Sequence, residues 1–190
     1  DGYWSRGLGD VYKRQALAPV DYDFGEPSNY AFAESVTCAN DEARKMYVEA
    51  HGHMLNYNHE QAIACFMKCT ELDPNCAMAW WGIAYCVSSN YNWSPGLGSG
   101  YDPIQQALKV MDHCTELEQD LIRALSTRHS KEARDAADPT VLNMGNDMEL
   151  NVAFAEAMAP LHEKYAGNLD VTAIYVCLLY TSDAADEQQR

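Results

Sequence analysis

The chain has 190 residues, with 13 Lys and Arg against 28 Asp and Glu, a formal net charge of −15. A field of that sign repels phosphate backbones and anionic lipid headgroups, so neither nucleic acid nor a membrane is an expected partner. No run approaches the roughly 20 consecutive apolar residues that a membrane-spanning helix needs.

In chain order, the first segment is 1–15. Its stretch Ser5 to Gln15 back-translates without a mismatch onto the transposon-derived adapter of short-read sequencing libraries, which it resembles. Residues 16–39 carry Pro19, Gly25, Pro27 and Ser28 with no sustained period and read as an irregular lead-in. Helical patterning begins at Asn40-Asp41, a good cap pair, and runs through Leu55 to a break at Asn56-Tyr57-Asn58. A second helix from His59 places Ala62, Cys65, Phe66 and Cys69 on one face at the spacings i, i+3, i+4, i+7. Asp73-Pro74-Asn75 ends it, because proline cannot continue the hydrogen-bond ladder and restrains the residue before it.

A third helix is predicted from Cys76 to Val87. Ser88 to Asp102 then reads as a loop, with Pro95, Gly96, Gly98 and Gly100 interleaved with Tyr91, Trp93 and Tyr101. Pro103 suits the first position of a fourth helix, which reaches about Cys114. Thr115 and Glu118 cap a fifth that ends near His129. After the polar stretch Ser130 to Asn143, a long helix spans Asp147 to Tyr165, Gly167-Asn168 stops it, and another helix starts at Asp170. No segment alternates with period two for long, so the class is all-α. Cys177 to Glu187 back-translates onto the opposing library adapter. The natural part is therefore expected to be Ala16 to Val176, with a helical domain at 40–176 and non-native ends at 1–15 and 177–190.

The helix pair from Ala43 to Asn75 resembles one tetratricopeptide repeat, a helix-turn-helix unit of about 34 residues. The resemblance rests on Ala50, Ala62, Phe66 and Cys69 and on the closing Leu72-Asp73-Pro74-Asn75. It implies that Ala50 and Ala62 are small where two helices cross closely, that Phe66 fills the space between neighbouring repeats, and that Cys69 replaces a small residue. Ala77 to Val87, with Trp80, Ile83 and Ala84, is similar to the first helix of a following repeat. The stretch Asp73 to Ala84 also resembles the same junction in a larger group of such proteins, which implies no particular activity. Two departures stand out: His53 replaces a larger side chain, and Tyr57 stands where glycine is usual. Beyond one and a half repeats the likeness fades, although Ala153 to Val176 suggests another degenerate pair.

The resemblance implies a short α-solenoid in which neighbouring helix pairs cover each other's apolar faces. It implies a non-catalytic scaffold for a protein or peptide, with no cofactor. Its concave surface would include Arg44, Tyr47, His51 and Met54 from one repeat and Met78, Trp81 and Tyr85 from the next. Aromatic and methionine side chains suit such recognition. Trp80 and Trp81 are equally consistent with core positions. Members of the family that hold a C-terminal carboxylate do so with Lys and Asn where this chain has Tyr47 and His51, so that ligand is not expected. Tyr91 and Trp93 are candidate gripping residues of the loop, or simply pack it.

The alternative is a helical portion of an enzyme or of a small-molecule or metal-binding protein, using the loop at 88–102 and the nearby histidines. The chain contains no GxSxG or HExxH pattern, and Gly96-Leu97-Gly98-Ser99-Gly100 lacks the lysine of a phosphate loop. His51 and His53 diverge by about 200° on a helix, and Cys65 and Cys69 share their face with Phe66, so no metal site is expected. The six cysteines before residue 177 form no CxxC pair and mostly occupy apolar helical positions, which favours a reducing compartment such as the cytoplasm.

Overall fold

A computed structural model describes residues 31–88, 100–136 and 147–188. Among these residues every regular element is helical. Helix α1 spans Ala31–Ser35, α2 Asp41–Leu55, α3 His59–Leu72, α4 Ala77–Val87, α5 Tyr101–Val110, α6 Glu116–Ser126, α7 Lys131–Ala136, α8 Asp147–Lys164 and α9 Leu169–Gln188. A single 3₁₀ turn, Met111–His113, follows α5. None of the described helices is long and apolar enough to cross a membrane.

The helix boundaries follow from local chemistry. Asn40 accepts a hydrogen bond from Ala43 N at 2.8 Å, and Asp41 and Glu42 complement the positive end of the α2 dipole. The exit from α2 is a Schellman turn: Asn58 N donates to His53 O at 2.9 Å and Tyr57 N to Met54 O at 3.1 Å. Tyr57 therefore takes the left-handed conformation, with φ of 58°, a conformation that favours glycine. At the end of α3 the Asp73 carboxylate accepts from Asn75 N at 3.0 Å and from Ala39 N at 2.7 Å, which joins the turn to the segment entering α2. Thr115 and Glu118 form the predicted capping box of α6.

Three local readings need correction. The lead-in contains the short helix α1, whose Phe32, Ala33 and Val36 are buried in the core. The polar stretch after His129 contains α7. Helix α5 opens at Tyr101 rather than at Pro103; proline fits there because the first four N–H groups of a helix have no intrahelical partner.

From α2 to α6 each helix packs against its neighbours in the chain, and the alternate helices α2 and α4, and α4 and α6, also touch. Ala43, Ala50, Ala62, Phe66 and Cys69 are all inaccessible, as the apolar face of the repeat-like pair requires. Helix α4 is apolar nearly all round and is correspondingly buried on almost every side, which makes it the central rod of this stack. Gly82 lets it approach α3 closely: a Cβ there would lie 2.4 Å from Phe66 Cζ. Helix α8 packs on α6 and on α9. The first turn of α9 reaches back to α2, where Asp170 Oδ1 lies 3.1 Å from His51 Nε2. α9 continues through Val176 as one helix; Leu178 is buried, and the Tyr57 hydroxyl lies 3.5 Å from Cys177 Sγ.

Candidate functional site

The seven residues expected on a concave surface lie together on α2 and α4, but they do not form an open groove. Tyr47, His51, Met54, Met78 and Trp81 are buried, while Arg44 and Tyr85 are half-buried. The cause is coverage by the preceding helix α1 and by the distant helix α9. Phe32 of α1 sets its ring 6.0 Å from His51, and α9 supplies Asp170 to the same histidine. Arg44 is spent on the lead-in, where Nη1 donates to Glu34 O at 3.0 Å and also to Val36 O. Trp81 belongs to the core: it is 1% exposed and its indole N–H donates to Leu121 O at 3.1 Å. Tyr91 and Trp93 lie outside the described residues.

Within this face the rings are ordered. Tyr47 stacks on His51 at 6.0 Å and tilts against Phe66 at 5.5 Å, and Trp81 stacks on Tyr85 at 5.3 Å. Burial pushes the Tyr47 phenol well above its ordinary pKa. Its hydroxyl and His51 Nδ1 are buried with no hydrogen-bond partner among the described residues. Buried polar atoms in that condition cost on the order of 1–3 kcal/mol each and call for an explanation.

Two clusters of ligating side chains form where the sequence reading expected only core. Cys65 meets Glu49 and His53 of α2, all three buried, with their ligating atoms within 4.8 Å of one another. Burial lowers the His53 pKa and raises that of Cys65 to about 12. Cys69 instead joins Cys38 and Cys76, again with all three sulfurs within 4.8 Å. The Cys38 and Cys76 sulfurs are 3.4 Å apart, and the Cys69 thiol donates to Ala43 O at 3.2 Å. The neighbouring sulfurs of Cys69 and Cys76, with the Arg44 guanidinium, hold Cys38 below its ordinary pKa. The complementary effect raises Cys76 and Cys69.

The sequence reading missed both clusters because each needs residues from different elements. Cys69 and Cys76 flank the Asp73-Pro74-Asn75 turn, a signal that could have paired them; Cys38, in the lead-in, had none. The reading also passed over Glu118 as more than a cap. Its carboxylate is 1% exposed and accepts from Thr37 N and Thr37 Oγ1, both at 2.7 Å, and from Thr115 N at 2.8 Å and Thr115 Oγ1 at 2.7 Å. It locks the lead-in onto α6.

Comparison of the chain with protein-family models, with curated proteins and with solved structures finds no match.

Proposed function

We propose that the chain is a tetratricopeptide-like interaction scaffold that takes up a segment of a protein partner on the inner face of α2 and α4. The observation that carries this reading is the pair of buried polar atoms on that face with no hydrogen-bond partner among the described residues, the Tyr47 hydroxyl and His51 Nδ1. Both belong to residues that the repeat resemblance assigns to recognition, and a backbone carbonyl or amide of a docked segment would pair with them. The covering contacts also suit an exchangeable occupant. His51 is held from α9 by a single carboxylate, and the Tyr57 contact with Cys177 is exposed. Hydrogen bonds and aromatic contact area together fit a peptide backbone flanked by apolar side chains.

The test is selection of displayed random peptides on the whole chain, followed by affinity measurement against Tyr47→Phe and His51→Leu. Enriched peptides are expected to bind the parent chain at micromolar strength or better and each variant at least about tenfold more weakly, the loss of one hydrogen bond from a desolvated site. Tyr47→Phe is expected to fold with unchanged or greater stability, since it removes an unpaired buried hydroxyl. Peptides that bind both variants as well as the parent chain refute the assignment of this face.

A further inference from the structure

We infer that Cys38, Cys69 and Cys76 form a three-sulfur site for a soft, thiophilic metal ion of the copper(I) class, formed where the lead-in, the end of α3 and the start of α4 meet. The inference stands on geometry apart from the scaffold reading. With metal–sulfur bonds of about 2.3 Å, three sulfurs arranged around one ion lie about 4 Å apart. The three Sγ atoms here all fall within 4.8 Å of one another, and those of Cys38 and Cys76 are 3.4 Å apart, so shifts of less than an ångström bring them onto one ion. Three separate backbone segments supply the ligands, and two of them are tied together beside the site by the Asp73 bond to Ala39 N at 2.7 Å.

The donor set selects the ion. Thiolates prefer copper(I), zinc and iron–sulfur centres over hard cations. Structural zinc sites are four-coordinate. The neighbouring carboxylate is Asp73, and both its oxygens are already engaged by the backbone N–H groups of Ala39 and Asn75. Cys69 and Cys76 are wholly buried, so solvent reaches the cluster only beside half-buried Cys38. Among the described residues the cluster brings together these three ligating groups and no fourth, which suits the lower coordination number of copper(I). Binding displaces the thiol protons of Cys38, Cys69 and Cys76 to solvent, breaks the Cys69 bond to Ala43 O, and forms one metal–sulfur bond to each cysteine. The resulting negative charge faces Arg44, whose Nη2 lies 3.5 Å from Cys38 O, and the positive end of α4, which Cys76 caps.

The test uses the whole chain, reduced and free of oxygen, titrated with copper(I) against a chromogenic copper(I) chelator. One equivalent is expected to pass from chelator to protein, with near-ultraviolet sulfur-to-copper charge transfer and X-ray absorption indicating three sulfur neighbours. Cys69→Ser and Cys76→Ser are each expected to weaken binding at least about tenfold, while Cys86→Ser, a buried thiol of α4 outside the cluster, leaves it unchanged. Should the cluster variants fail to fold, alkylation of the parent chain decides: one equivalent of copper(I) is expected to protect half-buried Cys38 but not half-buried Cys177. The inference is overturned if copper(I) stays on the chelator, if Cys86→Ser weakens binding as much as Cys69→Ser, or if Cys38 alkylates at its metal-free rate. A chain that ignores copper(I) but forms a Cys38–Cys76 disulfide with peroxide overturns it too, and makes the cluster a redox pair.

Discussion

Replacing Gly82 by alanine tests the close approach of α3 and α4 on which the whole stack depends. In an open helix this change stabilises by about 0.8–1.0 kcal/mol, because alanine loses less backbone freedom and glycine is the poorer helix former. Here the new methyl would lie 2.4 Å from Phe66 Cζ and 2.5 and 2.6 Å from the two adjoining ring carbons. The methyl would sit over the face of the ring near its tip, and spinning the ring about its own axis leaves Cζ, which lies on that axis, where it is. Relief needs the whole side chain to withdraw by about 1 Å, yet Phe66 is inaccessible and Tyr47 stands against it at 5.5 Å. Overpacking of that kind costs about 1–3 kcal/mol, so a net loss of up to about 2 kcal/mol remains after the helix-propensity gain. Urea unfolding followed by far-ultraviolet circular dichroism measures it directly; in a chain of this length the melting temperature should fall by up to about 8 °C. Combining Gly82→Ala with Phe66→Leu supplies the control. The shorter side chain leaves room for the methyl, so the alanine should cost less in that background than in the parent, a coupling that a double-mutant cycle isolates. If Gly82→Ala instead raises stability by the amount expected of an open helix, the close approach is not there.

Glu118→Gln should destabilise the chain by about 2–3 kcal/mol, since an amide turns one acceptor oxygen into a donor facing the hydroxyl and N–H groups of Thr37 or Thr115. Equal urea midpoints for the two chains would show that the four bonds add little. Stability should also depend on pH through His129, which burial and the adjacent Arg128 lower from 6.5 to about 3 while Ser88 Oγ lies 3.1 Å from its Nε2. Because the folded value lies below the unfolded one, the unfolded chain binds the extra proton in that interval. The contribution is complete above about pH 6.5 and is lost as pH falls toward 3, at up to about 1.4 kcal/mol per unit. His53 and His59, also lowered by burial, act in the same direction. Urea midpoints at pH 7.5, 6 and 5 should decline in the parent and decline less in His129→Gln; parallel slopes would remove His129 from the account.

The helices from Asp41 to Ser126 were legible in the sequence because the signals that bound them act within a few residues. Asn40 and Thr115 accept bonds from N–H groups three positions on, Pro74 interrupts its own turn, and Tyr57 occupies the left-handed residue of a turn closed over six residues. The face carrying Ala62, Phe66 and Cys69 was readable for the same reason, since helical periodicity alone puts them on one side. α1 escaped notice because its single turn is too short to display a period, and the apolar side of Phe32 and Val36 has meaning only against α2.

The candidate sites belong to another length scale. Cys38 and Cys76 meet across 38 positions, Thr37 and Glu118 across 81, and Tyr57 and Cys177 across 120. Whether Tyr47 and His51 face water or neighbouring helices depends on where α1 and α9 come to lie, which no property of α2 encodes. The amino-acid order by itself determined the helical class, most of the boundaries and the apolar face of the first helix pair, because dihedral preference and capping are settled by near neighbours. Only the tertiary structure decided which polar and sulfur groups share a space, because that position is the accumulated result of every crossing angle and turn between them.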